Sequence, residues 1–205
     1  MSSCAPFARE GFACGDGWFG IIDRLSAKLA ADPNLVVSQL KEKMGLLTVY
    51  FEPGEPASPK TETSTDRGLQ EARAESGRTC EICGEPGEIA ARLRGWVSVR
   101  CVPCERLDDM EEACRRLAEY AGRRELEVFA ADGQAVDASM LALVHLGDGA
   151  ACQSAERRAR FPGVDWSRLE SFRAMTGVTG APSMTAAEIW TFARDAAPAL
   201  LEALR

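Results

Sequence analysis

Two Cys-x2-Cys pairs punctuate the middle of this 205-residue chain: Cys80 and Cys83 in TCEICGEPG, then Cys101 and Cys104 in RCVPCE. The C-x2-C-x17-C-x2-C spacing restricts the fold more than any apolar pattern in the sequence. Two cysteines two residues apart can wrap one ion if the backbone between them turns sharply, and Gly84 suits such a turn. Two such knuckles on neighbouring hairpins complete a tetrahedral thiolate shell. A redox pair would need one CxxC opening a helix in a thioredoxin-like unit. Cys101 and Cys104 do precede a helical run, but that reading leaves Cys80 and Cys83 unexplained. Disulfides suit an oxidising compartment. The N-terminus lacks the basic and apolar regions of a signal peptide, and no apolar run is long enough to span a membrane. The expectation is a cytoplasmic protein with one structural Zn2+ on Cys80, Cys83, Cys101 and Cys104. Four thiolates saturate zinc, which disfavours catalytic zinc.

CEICGEPG also resembles the knuckle that opens many HNH nucleases. Those enzymes need histidines as base and metal ligands, and this chain has one, His145.

Around the cysteines, GDGWFGIIDRLSAKLA reads as a helix capped by Asp16. Trp18, Ile22, Leu25 and Leu29 form its stripe, Phe19 and Ile21 widen it, and Asp32-Pro33 ends it. LVVSQLKEKMGLLTVYFEP reads as two strands joined near Gly45, although SQLKEKM could also be helical. Residues 52–66, rich in Pro, Gly, Ser and Thr, read as a polar loop, followed by a short helix at about 67–76. RGWVSVR reads as a strand entering the second knuckle. Leu107, Met110, Cys114, Leu117 and Ala121 mark an amphipathic helix ended by Gly122. ELEVFAADGQAV suggests a hairpin with an Asp-Gly turn. Asp137 then caps ASMLALVHL, DWSRLESFRAMTG is a helix ended by Gly177, Thr185 and Glu188 form a capping box, and Pro198 kinks or restarts the last helix. The fold class is α+β: an N-terminal helix and β-hairpin with a four-cysteine zinc ribbon, then a mainly α-helical C-terminal part. The expected units are 1–122, with the ribbon at about 78–106, and 123–205.

The blocks GDGW-x2-IID, QLKEKMG-LLTVYF, TCEICGEPG and GW-x3-RC, in that order over about residues 13–104, resemble an uncharacterised family of small phage and bacterial proteins. Its members carry GDGW, a VKEKFGGLRFY-like segment and a CExCGxPG…GW…C ending. The resemblance implies a shared fold and brings no activity with it. This chain has Met44-Gly45-Leu46 where the family has an aromatic and paired glycines, and Cys104 where many members have His; either ligand would serve zinc.

No P-loop, GxSxG or HExxH is present. His145, between apolar neighbours, reads as a buried, hydrogen-bonded side chain. Asp108, Asp109, Glu111 and Glu112 read as solvated carboxylates at a helix start, favoured by its dipole. Cys114 lies on an apolar face and reads as core, while Cys4 and Cys14 could form a second half-site and Cys152 carries no assigned role. Trp18, Trp96, Trp166 and Trp190 read as core anchors, with Trp96 packing on the knuckles.

The net charge is −7. Residues 67–106 carry 7 basic against 6 acidic side chains, whereas residues 107–205 carry 11 against 16. No third is a basic patch, which disfavours phosphate binding. Arg92, Arg94 and Arg100 around Trp96 keep a zinc-ribbon nucleic-acid-binding regulator as the alternative, and an enzyme of unrecognised type as a third reading. The expected function is a non-enzymatic protein-binding protein. It would be an acidic inhibitor, including an immunity protein or phage-encoded antagonist, of a basic nucleic-acid-handling protein, with no membrane partner.

Overall fold

The computed structural model describes residues 12–31, 35–52, 59–91, 95–176 and 184–204, the side chains of 59–63 excepted. Cys4, Asp32-Pro33, Arg92, Arg94 and Gly177 lie outside them. The chain divides into two compact units, Met1–Cys104 and Glu105–Arg205, against the expected division after residue 122.

In the first unit a two-residue strand, β1 (Phe12–Ala13), pairs parallel with β2 (Val37–Lys43), which pairs antiparallel with β3 (Leu46–Phe51). SQLKEK is therefore strand. Met44 (φ 56°) and Gly45 (φ 78°) close the hairpin. Positive φ at both positions matches the right-handed strand twist in two-residue hairpins. A side chain at Gly45 would collide with Ile89, so the ribbon hairpin supplies a second reason for that glycine.

Helix α1 (Phe19–Leu29) follows a single 3-10 turn, Asp16–Trp18. Asp16 lies inside that turn and caps nothing; the helix has no side-chain cap. Trp18, Ile21, Ile22, Leu25 and Leu29 are buried, while Phe19 is exposed. They form one core with Val37, Leu40, Leu47, Ala72 and Val99. Helix α2 (Pro59–Ser76) begins where a loop was expected. Proline is well tolerated in a first helical turn, and Leu69, Ala72 and Ser76 repeat at helical spacing toward the core. Ser76 is fully buried; its hydroxyl accepts from Leu47 N and donates to Arg73 O. Strands β4 (Glu88–Ala91) and β5 (Val97–Arg100) form the ribbon's antiparallel pair.

Helix α3 (Val102–Leu117) continues into a π-helical turn, Ala118–Gly122. The second unit has α4 (Leu126–Ala131), α5 (Gly133–Ala151), α6 (Ala155–Ala159), α7 (Trp166–Ser171), α8 (Ala186–Thr191) and α9 (Ala197–Ala203). The expected Asp-Gly hairpin is two helices. Asp132 is the N-cap of α5, accepting from Ala135 N at 3.1 Å, and Asp137 lies inside α5. The same dipeptide can serve as turn or as cap, and here Phe129, fully buried in the helical core, fixes α4 as helix. Thr185 and Glu188 do form a capping box. Pro198 sits in the first turn of α9, after a π-helical turn at Phe192–Ala196. The core gathers Met110, Cys114, Leu117, Phe129, Leu143, Leu146, Ile189 and Phe192, among others.

Candidate metal centre

Chain reversal at the first knuckle is set by backbone bonds. Cys80 N donates to Glu85 O (2.7 Å) and Gly84 N to Cys80 O (2.9 Å), with Gly84 at φ 78°. Thr79 and Pro86 bridge across its base, and Glu81 N donates to Val99 O of β5 at 3.1 Å. The second knuckle is the β5–α3 junction. Cys101 directly follows β5, and Cys104 lies in the first turn of α3.

All four Sγ atoms lie within 4.8 Å of one another, and Cys83 Sγ is 3.5 Å from Cys101 Sγ. Zinc–sulfur bonds of about 2.3 Å in a tetrahedron place sulfurs about 3.8 Å apart, a spacing these limits bracket. Cys80, Cys101 and Cys104 are buried and Cys83 partly so. None of the seven described cysteines is in a disulfide. The four residues expected as ligands are thus brought together, and the cluster is able to hold a metal ion.

The cluster favours negative charge on one sulfur. A hydrogen bond from Cys104 holds the Cys80 thiol well below its ordinary range, against desolvation, with help from the amides of Cys101, Cys83 and Ile82. Burial pushes Cys101 the other way. A divalent cation would override both, because ligation needs thiolates.

GDGW packs directly against this knuckle. Gly17 N donates to Glu81 O (2.8 Å), Gly15 N to Glu81 Oε1 (3.0 Å) and Trp18 Nε1 to Thr79 O (2.8 Å). A Cβ on Gly17 would stand 2.2 Å from Cys80 O and 2.5 Å from Gly84 N. Glu81 Oε2 accepts from Arg100 (3.1 Å), both side chains being largely buried. Sequence reasoning missed Glu81, Gly15 and Gly17 as neighbours of the cysteines. The available signal was the pairing of a two-glycine block with a knuckle in one chain.

The remaining candidates lie elsewhere. Cys14 is not among the clustered thiols; burial, then Glu81 and Asp16, push its thiol up to about 11. Cys114 is core, its thiol pushed up to about 12 by burial. Cys152 is exposed. His145 is exposed on α5, not buried: Ala142, Leu143 and Leu146 take the inward face. Trp96 is 68% exposed, whereas Trp18 and Trp166 are buried and Trp190 is partly so. The α3 carboxylates lie past the helix start at Val102, and ion pairs join Asp109 to Arg106, Glu111 to Arg115, and Glu112 to Arg115 and Arg116. Among the described residues no helix is long and apolar enough to cross a membrane. Comparison with protein-family models, curated proteins and solved structures finds no match to this chain.

Proposed function

We propose that the chain is a non-enzymatic, cytoplasmic protein-binding protein built on one structural zinc ion, and that it acts as an acidic inhibitor of a basic nucleic-acid-handling protein. The observation that carries the metal part is the four-thiol cluster. An all-sulfur tetrahedral shell suits zinc or iron, and it leaves no ligand position for water or substrate. Such an ion holds a fold together and offers its surroundings for recognition.

The inhibitor reading is supported by the net charge of −7. The carboxylates that supply the field are not those of α3, which are mostly matched by arginines on the same helix. Glu119, Glu125, Glu127 and Asp137 are exposed on the following segments. Opposite charge on a partner would raise the encounter rate and make it fall with salt. An immunity protein or phage-encoded antagonist has this character. The regulator alternative keeps Trp96, exposed next to β5, as its stacking candidate.

Elemental analysis of the full chain is expected to give one zinc per molecule, and pull-down with mass spectrometry to recover a basic nucleic-acid-handling protein. Protein without bound metal would remove the zinc reading. A salt-sensitive gel shift of duplex DNA at sub-micromolar protein would replace the inhibitor by the regulator.

A further inference from the structure

We propose that Gly15–Trp18 is a metal-gated latch: it seats on the first knuckle while the four cysteines wrap an ion, and metal loss releases Trp18 and the apolar face of α1. The proposal rests on the metal reading above and adds a conformational consequence to it.

The latch bonds to residues that flank or separate ligands and touches the backbone of the ligand Cys80. Its acceptors are Thr79 O, Glu81 O and Glu81 Oε1. Its tightest approach is Gly17 against Cys80 O, Glu81 O and Gly84 N, with Gly84 itself seated on Gly17 O. Such contact demands one knuckle shape. Backbone bonds set the turn of the knuckle, and an ion would add the tie between its two thiols and those of Cys101 and Cys104. Short metal knuckles draw their folding free energy from the ion.

The consequences run into the core. Trp18 is fully buried and its indole N–H is satisfied by Thr79 O. A reshaped knuckle leaves that donor without its acceptor in a dry site, which is costly. Trp18 packs with Ile22, Leu25 and Leu29, so its release loosens α1 from the sheet. Glu81 is the positioning residue: it ties Gly15, Gly17 and Arg100 to the turn between Cys80 and Cys83. Linkage makes the coupling reciprocal. If the latch prefers the metal-wrapped knuckle, breaking the latch must weaken the metal.

The test uses the full chain, with zinc measured by elemental analysis before and after chelation. Hydrogen exchange read by mass spectrometry is expected to rise at least about tenfold in peptides covering residues 15–25 when zinc is removed. Peptides from α5 serve as the internal control. Zinc removal that leaves exchange at 15–25 unchanged overturns the latch and spares the metal site; protein with no metal overturns both. In competition with a chromophoric chelator, Trp18→Phe, which keeps an aromatic ring but deletes the N–H and part of the indole's volume, is expected to lower zinc affinity about tenfold, in the range of residues supporting metal ligands. Gly17→Ala is expected to lower it further. Folded Trp18→Phe protein with unaltered zinc affinity overturns the proposal even if Gly17→Ala fails to fold.

Discussion

The two units solve the same problem with different means. The helical unit buries large side chains in quantity, including Phe129, Leu117, Leu143, Leu146 and Ile189. Among the described residues, the N-terminal unit has a smaller apolar core, a two-residue strand and a cluster of four cysteine thiols. Small cores gain the most from an ion or a crosslink. What the first unit lacks in apolar area it replaces by close backbone approach, glycine against carbonyl, around four thiols. The difference teaches where each unit is fragile: one at a few ligand atoms, the other nowhere in particular.

The largest expected effect follows from that contrast. Cys83→Ser should release the metal, and structural zinc sites contribute about 10–16 kcal/mol in small zinc-finger peptides. The first unit should lose amide protection while the exchange of α5 stays as in the parent. Uniform loss of protection across both units would erase the distinction between them. A Cys83→Ser protein retaining full metal would show that the knuckle is held without that ligand.

The converse substitution strikes the other unit. Phe129 is fully buried between α4 and the helices packed on it. Phe129→Ala is expected to cost about 3–5 kcal/mol in denaturant unfolding followed by helical circular dichroism. Metal content should stay at its parental value. Loss of metal in this variant would tie the ion to the helical core and break the comparison.

How far the sequence shows this in advance depends on the range of the interaction that decides each element. The four ligands are legible because their chemistry and spacing are local. The hairpin is legible at Gly45, and the capping box because Thr185 and Glu188 are three residues apart. The Asp132-Gly133 pair is not legible, since turn and cap use the same residues and only the burial of Phe129 decides. Ser139, Ala142, Leu143 and Leu146 mark the inward face of α5 and leave His145 outside, a phase that its apolar neighbours conceal. Composition misleads for 59–66, where turn-forming residues conceal a helix whose inward positions come later, at Leu69 and Ala72. The approach of GDGW to the knuckle joins residues more than sixty positions apart. Each block is visible alone, but nothing local says that they touch.

The smallest expected effect probes the helical unit at one exposed end. Thr185 Oγ1 accepts from Glu188 N, and Glu188 Oε2 accepts from Thr185 N (2.7 Å) and Thr185 Oγ1 (2.8 Å). Thr185→Ala removes the hydroxyl's part of this exchange, and losing such a cap costs about 1 kcal/mol. The amide of Thr185, followed by its hydroxyl, holds the Glu188 carboxyl below its ordinary range. A carboxyl whose folded pKa is depressed contributes stability that is fully present above its unfolded value and is lost as pH falls through the folded one. The parent should therefore lose the Glu188 contribution on acidification. Thr185→Ala should lose less, because the hydroxyl's share of the depression is already gone. The stability gap between the two proteins should be widest near neutral pH and narrow below the carboxylate range, as measured by urea unfolding at several pH values. A gap independent of pH would mean that the hydroxyl stabilises α8 through the Glu188 amide alone. Metal content should be the same in both proteins at neutral pH, since the cap is exposed and makes its bonds between Thr185 and Glu188, not to the four thiols.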